Sequence, residues 1–67
     1  MQLTVNGTLR TFDPAVRTVE ELVRALALEG KRIAVERNGA IVPKSHYAAT
    51  PVAAGDKLEI VGAVGGG

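Results

Sequence analysis

The chain lacks several residue types, and each absence narrows its function. It contains no cysteine and no tryptophan, and its aromatic residues are one phenylalanine and one tyrosine. Without cysteine, a disulfide framework and a thiolate metal site are both excluded. Eight basic and seven acidic residues give a formal net charge of +1. With no basic stripe and so few stacking side chains, the composition argues against nucleic-acid binding.

Long apolar segments are missing as well. No apolar run approaches the ~20 residues of a membrane span, and the start MQLTVNG lacks the basic and apolar blocks of a signal peptide. The sequence therefore predicts a cytoplasmic protein without a membrane partner. A domain of this size buries only about 60% of its unfolded surface and leaves little room for a small-molecule pocket. The length argues against an autonomous enzyme.

Alternating apolar and polar residues predict five strands. The first two, Gln2–Val5 and Thr8–Phe12, are joined at Asn6-Gly7, a strong hairpin signal because both residues tolerate positive φ. A second hairpin at Asn38-Gly39 joins strands in RIAVER and AIVP. The last strand is KLEIV, with Leu58 facing inward.

One amphipathic helix is predicted between the hairpins. In TVEELVRALALEG, Thr18 and Glu21 have the spacing of a capping box. The apolar stripe on this helix comprises Val19, Leu22, Val23 and Leu26. Gly30 is suited to the left-handed residue that ends a helix, so we expect the helix to span Val19–Glu29.

The order of these elements, ββαββ-β, predicts an α+β fold in which one main helix covers a mixed sheet of about five strands. The segment KSHYAATPVAAGD has no clean period and is predicted to be a loop, with one helical turn near Ser45–Ala48. We expect residues 1–61 to form the domain and residues 62–67 to form a flexible tail that ends in Gly-Gly.

The side chains provide no recognisable catalytic constellation. His46 has no second imidazole or thiolate with which to bind a metal, and we expect it on a solvated loop. Ser45 lacks a base oriented by a third group, and Tyr47 is interpreted as an anchor for the loop. The terminal glycines do not fit a phosphate-binding loop, which requires a following helix. The α-carboxylate of Gly67 is the remaining reactive group.

A glycine tail suits the delivery of such a carboxylate. Six residues after the last strand can reach about 20 Å when extended. Because glycine has no Cβ, the tail can enter a narrow channel and adopt any backbone angle there.

Four segments carry a resemblance to a known family: MQLTVNG, TVEELVRALAL, IAVERNGAIVP and AGDKLEIVGAVGGG. Together they span nearly the whole chain, and they resemble the ThiS sulfur carriers of thiamine biosynthesis. That family belongs to the ubiquitin-like β-grasp superfamily, which also contains the MoaD carriers. The resemblance implies a mixed sheet in which the last strand lies centrally beside the first.

The same resemblance implies a function. An adenylating enzyme of the ThiF or MoeB type would use Mg-ATP to activate the carboxylate of Gly67. A donor system based on a cysteine desulfurase would convert the adenylate to a thiocarboxylate, and the thiazole synthase ThiG would accept the sulfur. Gly65 and Gly66 would enter the partner's channel. The chain itself would be a co-substrate rather than an enzyme, without a cofactor or metal of its own.

The end of the last strand and the start of the tail supply candidate partner contacts. The candidate contacts are Val61, Ala63 and Val64. For Val61, an equal alternative is that it is ordinary sheet surface with no partner. Three alternative functions remain. They are a carrier for molybdopterin synthesis resembling MoaD, a ubiquitin-like modifier that conjugates to lysines, and a β-grasp interaction domain with incidental glycines.

Overall fold

The structure, a computed structural model, describes residues 1–62, and residues 63–67 lie outside the described residues. Five strands, one α-helix and one 3₁₀ helix are present in this part of the chain. Their bounds are β1 Gln2–Val5, β2 Thr8–Thr11, α1 Val19–Ala25, β3 Ile33–Arg37, β4 Ala40–Val42, the 3₁₀ helix Lys44–Ala49, and β5 Lys57–Gly62.

The strands form one mixed sheet in the order β2-β1-β5-β3-β4. β5 runs parallel to β1 and antiparallel to β3, so the last strand is the central one. This confirms the predicted five-strand sheet, the single covering helix and the central position of the last strand. β5 extends as far as Gly62, which pairs with Ile33.

Both Asn-Gly hairpins form as predicted. Asn6 and Gly7 have φ values of 50° and 81°, and Asn38 and Gly39 have values of 51° and 86°. Two consecutive residues with positive φ match the right-handed twist of the flanking strands, and asparagine and glycine adopt this conformation at low cost.

The core lies between the helix and one face of the sheet. Leu3 and Val5 of β1, and Leu58 and Ile60 of β5, contribute the inward-facing side chains of these two adjacent parallel strands. Other buried apolar residues are Phe12, Val16, Val19, Leu22, Val23, Val35, Val42, Tyr47 and Val52. The predicted alternation is therefore confirmed for β1 and β5, whereas every residue of the edge strand β2 is exposed.

The helix begins as predicted but ends earlier. The Thr18 hydroxyl accepts a hydrogen bond from the Glu21 N–H at 3.2 Å, and the Glu21 carboxylate accepts one from the Thr18 N–H at 3.1 Å, which completes the capping box. The predicted end at Glu29 is wrong because helix α1 ends at Ala25.

Ala27, not Gly30, adopts the left-handed conformation that ends the helix, with φ 60°. Its N–H donates to the Arg24 carbonyl, and the Leu28 N–H donates to the Val23 carbonyl, each at 3.0 Å. This is the Schellman arrangement of hydrogen bonds, in which an apolar residue after the cap packs back onto the helix. Leu28 packs against the core, and its burial favours the early end.

The segment after β4 is more ordered than predicted. The expected single turn near Ser45–Ala48 is a six-residue 3₁₀ helix, Lys44–Ala49. Tyr47 lies on its inner side with 8% of its surface exposed. It anchors the segment as predicted.

Candidate functional site

The central strand carries the chain to the point where the candidate tail begins. β5 is hydrogen-bonded on both sides over its first half, to β1 and to β3, and its last residue Gly62 lies beside the start of β3. The predicted sulfur-carrying residue Gly67 lies outside the described residues. The predicted channel and contact residues Gly65, Gly66, Ala63 and Val64 also lie outside them.

Asn6 holds the second half of β5 on the side where β1 has ended. Its backbone N–H donates to the Leu58 carbonyl at 2.9 Å. Its side-chain Oδ1 accepts from the Ile60 N–H at 2.7 Å, and its Nδ2 donates to the Ile60 carbonyl at 2.9 Å. The amide therefore replaces one residue of a neighbouring strand and fixes β5 two residues before Gly62.

Asp56 fixes the start of the same strand. This carboxylate is 7% exposed, and it accepts hydrogen bonds from Arg37 Nε at 2.8 Å, Asn38 Nδ2 at 3.1 Å and the Ala53 N–H at 2.8 Å. Burial acts to raise the pKa of Asp56, but these three donors and the Arg37 charge outweigh it, and the pKa lies below its ordinary value. The network joins the β3–β4 hairpin to the loop before β5.

The sheet face turned away from the helix carries exposed apolar side chains. Leu9, Ile41 and Val61 are 62%, 75% and 59% exposed. Strand register places all three on this outer face, because Leu9 lies opposite Thr4, Val61 opposite Ala34, and Ile41 opposite Glu36. Large apolar residues exposed on one face are typical of a contact surface.

Sequence reasoning identified one residue of this outer face and missed two. Val61 points away from Leu58 and Ile60, as its position in the strand predicts. Leu9 and Ile41 were not identified as surface residues. Ile41 is adjacent to Val42, whose side chain is buried, so strand alternation alone contained the signal.

The other side chains considered in the sequence do not form a catalytic or metal site in the described part of the chain. His46 is exposed in the 3₁₀ helix, and burial raises the pKa of the Tyr47 phenol. The pKa of Glu21 is lowered, first by the hydrogen bond from the Arg17 N–H and further by its bonds with Thr18. Among residues 1–62, no group of three or more histidine, aspartate or glutamate side chains could hold a metal ion.

Two surface grooves meet near the C-terminal end of the helix, with volumes of about 460 and 710 Å³. The larger borders Gly62 and includes Leu26, Ile33 and Ile60 in its lining. These volumes fall within the range of small-molecule sites, which the short length of the chain did not predict. Within residues 1–62, no helix is long and apolar enough to cross a membrane.

Comparison with known proteins connects the chain to thiamine biosynthesis. A thiazole synthase of Paramagnetospirillum magneticum is 51% identical over 67 residues, which cover 100% of this chain and 20% of that protein. A thiazole synthase of Magnetococcus marinus is 34% identical with the same coverage. The chain thus spans one fifth of the length of these two relatives. The sulfur carrier protein ThiS of Bacillus subtilis is 35% identical over 97% of this chain and 98% of its own.

A solved structure agrees in fold over the whole chain. The crystal structure of the thiamine biosynthesis protein ThiS from Geobacter metallireducens superposes with a TM-score of 0.85 and 39% identity, covering 100% of both chains. This likeness confirms the predicted ubiquitin-like β-grasp fold. Residues 3–67 match the family model described as the ThiS family. By sequence and by fold, the chain belongs to the ThiS family.

Proposed function

We propose that this chain is a sulfur carrier in the synthesis of the thiazole of thiamine, and that the carboxylate of Gly67 is the group that carries sulfur. The observation that supports this most strongly is the family match, which extends from residue 3 to Gly67 and so includes the terminal glycines. A relative of nearly equal length is named a sulfur carrier protein.

The proposed chemistry takes place on the terminal carboxylate. A carboxylate oxygen attacks the α-phosphorus of ATP, and pyrophosphate leaves to give an acyl adenylate. The terminal sulfur of a donor persulfide then adds to the acyl carbon and AMP leaves, so that a C–S bond replaces a C–O bond. A second thiol cleaves the S–S bond of this acyl disulfide, forms a disulfide with the donor thiol, and releases the thiocarboxylate. ATP and Mg²⁺ are used by the activating partner, and the chain takes part as a co-substrate without a cofactor of its own.

The proposed partners are an adenylating enzyme of the ThiF or MoeB type, a donor system based on a cysteine desulfurase, and a thiazole synthase. The last is supported by two relatives named thiazole synthase, which contain a region that matches this whole chain. Joining a carrier to its acceptor raises the effective concentration of one at the other. These relatives also favour the thiamine pathway over molybdopterin synthesis.

The outer face and the tail are proposed to contact the same partner enzyme. Leu9, Ile41 and Val61 provide apolar area that is exposed in the unbound chain, and Ala63 and Val64 follow directly from β5 in the sequence. Contact through this face leaves the helix side of the molecule free and directs Gly65, Gly66 and Gly67 toward the partner's active site.

Pyrophosphate release tests the first step. The activating enzyme and Mg-ATP are mixed with the chain ending at Gly67, or with a chain lacking Gly66 and Gly67. We expect release with the first and none with the second, while both have the same thermal midpoint. Gly62→Ala is the matched glycine control for folding, because a Cβ at Gly62 meets no atom within 4 Å. Equal release from the shortened chain would contradict the proposal.

A further inference from the structure

The centre of the outer face holds two acidic side chains directly opposite each other. Glu36 of β3 pairs with Glu59 of β5 in the antiparallel register, and both residues are exposed. Side chains in such positions have Cβ atoms about 4.5–5.5 Å apart, and like charges placed there destabilise the sheet. Within residues 1–62, neither carboxylate has a lysine, arginine or histidine nitrogen within 4.0 Å.

Apolar side chains lie beside this acid pair. Lys57 lies on the same face, two residues before Glu59, with its nitrogen more than 4.0 Å from either carboxylate. Ile41 lies opposite Glu36 on the outer side, and Val61 follows Glu59 by two residues on the same face. Ala34, opposite Val61, lies two residues before Glu36. The two carboxylates therefore lie beside the exposed apolar residues proposed above to meet a partner.

The chemistry of this arrangement fits a cation better than a neutral surface. Docking an apolar surface over two unpaired carboxylates would desolvate both charges at a large cost. A guanidinium offers several donors in a planar fork, is weakly hydrated for a cation, and packs well against apolar neighbours. A bound guanidinium would also remove the repulsion between the two acids.

Two other occupants fit less well. A metal ion would find two carboxylates here, and no group of three or more possible ligands occurs in the described part of the chain. A second copy packing the same face about a two-fold axis would bring four carboxylates together, because such an interface presents one patch to itself.

We infer that Glu36 and Glu59 form an acidic anchor that receives an arginine side chain of the activating enzyme, set among the apolar contacts of Ile41 and Val61. This inference rests on the proposed function, since it concerns the partner that receives the tail. The strain of the like-charge pair in the free chain is relieved on binding. The anchor accordingly favours the complex at a small cost to the stability of the carrier.

The test compares Glu36→Gln, Glu59→Gln and the double variant with the unsubstituted chain, and uses pyrophosphate release by the activating enzyme as the readout. The controls are Glu29→Gln, which matches the net-charge change of each single variant, and Glu20→Gln/Glu29→Gln, which matches that of the double variant. Both acids are exposed and lie outside the sheet. We expect the double variant to raise the KM for the chain about tenfold or more with kcat retained, as for the loss of one charged hydrogen bond. Its thermal midpoint should equal or exceed that of the unsubstituted chain.

The charge-matched controls separate the anchor from general electrostatic steering, because salt screens both effects. The difference in KM between the unsubstituted chain and the double variant should shrink as ionic strength rises, because the lost contacts are charged. A KM for the double variant within twofold of the unsubstituted value, or an equal rise for Glu20→Gln/Glu29→Gln, would overturn the anchor while leaving the carrier function standing. Failure of the unsubstituted chain to release pyrophosphate would overturn both.

Discussion

The side-chain amide of Asn6 bonds both backbone groups of Ile60, accepting from its N–H at 2.7 Å and donating to its carbonyl at 2.9 Å. These two residues are 54 positions apart in the sequence. The contact lets a turn residue of the first hairpin stabilise the last strand, close to where the candidate tail begins.

Asn6→Ala should therefore destabilise the fold by about 2–3 kcal/mol. Two hydrogen bonds contribute about 1 kcal/mol each, and alanine at a φ of 50° adds a conformational cost of about 1 kcal/mol. Urea unfolding measures this difference. Thr8→Ala, an exposed position in the same hairpin, is the control and should stay within about 0.5 kcal/mol of the unsubstituted chain. A similar loss for both variants would refute the specific role of the amide.

Low pH should lower the free energy of unfolding because the Asp56 carboxylate becomes protonated. Because the pKa of this carboxyl lies below its ordinary value of 3.8, the unfolded chain binds a proton more tightly than the folded chain does. The stabilisation is fully present above the ordinary value and is lost as pH falls through the lowered pKa of the folded state.

Unfolding of the unsubstituted chain and of Asp56→Asn across pH measures this contribution. At neutral pH the variant should be about 2–3 kcal/mol less stable, since a buried carboxylate loses charged hydrogen bonds. The difference between the two proteins should shrink below about pH 4. A difference that stays constant down to the acid limit would show that the charge of Asp56 does not stabilise the fold.

The early end of the helix predicts opposite effects at two nearby positions. Ala27 and Gly30 have φ values of 60° and 79°. Ala27→Gly should raise stability by up to about 1 kcal/mol, because relief of left-handed strain exceeds the added entropy of the unfolded chain. Gly30→Ala should lower it by a similar amount, although a Cβ there meets no atom within 4 Å. Thermal unfolding of both variants distinguishes strain from crowding, and stabilisation by Gly30→Ala would contradict this explanation.

Polar substitutions on the outer face should separate docking from folding. Ile41→Thr and Val61→Thr keep a β-branched side chain suited to a strand and remove apolar area from exposed positions. We expect unfolding free energies within about 0.5 kcal/mol of the unsubstituted chain and a higher KM in activation. Unchanged activation by both variants would show that these residues are ordinary sheet surface.

Much of the fold follows from local pattern in the sequence. Alternation in β1 and β5, the two Asn-Gly turns and the capping box at Thr18 each depend on residues close in sequence, and the structure confirms them. The helix end was mispredicted because Gly30 is the better left-handed residue by propensity, whereas burial of Leu28 favours a cap at Ala27. A tertiary contact decided that boundary, and local pattern does not contain it.

The residues of the candidate site also fall into those that local pattern predicts and those that depend on the strand register. Val61 was identified because its parity in β5 is visible in the sequence. The Glu36–Glu59 pair was not identified, since two residues 23 positions apart become neighbours only through the register of β3 and β5. The role of Asn6 was missed for the same reason. Such pairings need the strand order, which the residue pattern alone left open.

The central proposal, that the carboxylate of Gly67 carries sulfur, is tested most directly by mass spectrometry. The chain is incubated with the activating enzyme, Mg-ATP and a cysteine desulfurase system, and its intact mass and C-terminal fragment are then measured. We expect the mass change of one oxygen replaced by sulfur, located in the fragment that contains Gly67. An unchanged mass, attachment of the chain to lysines of other proteins, or sulfur located elsewhere in the chain would contradict it.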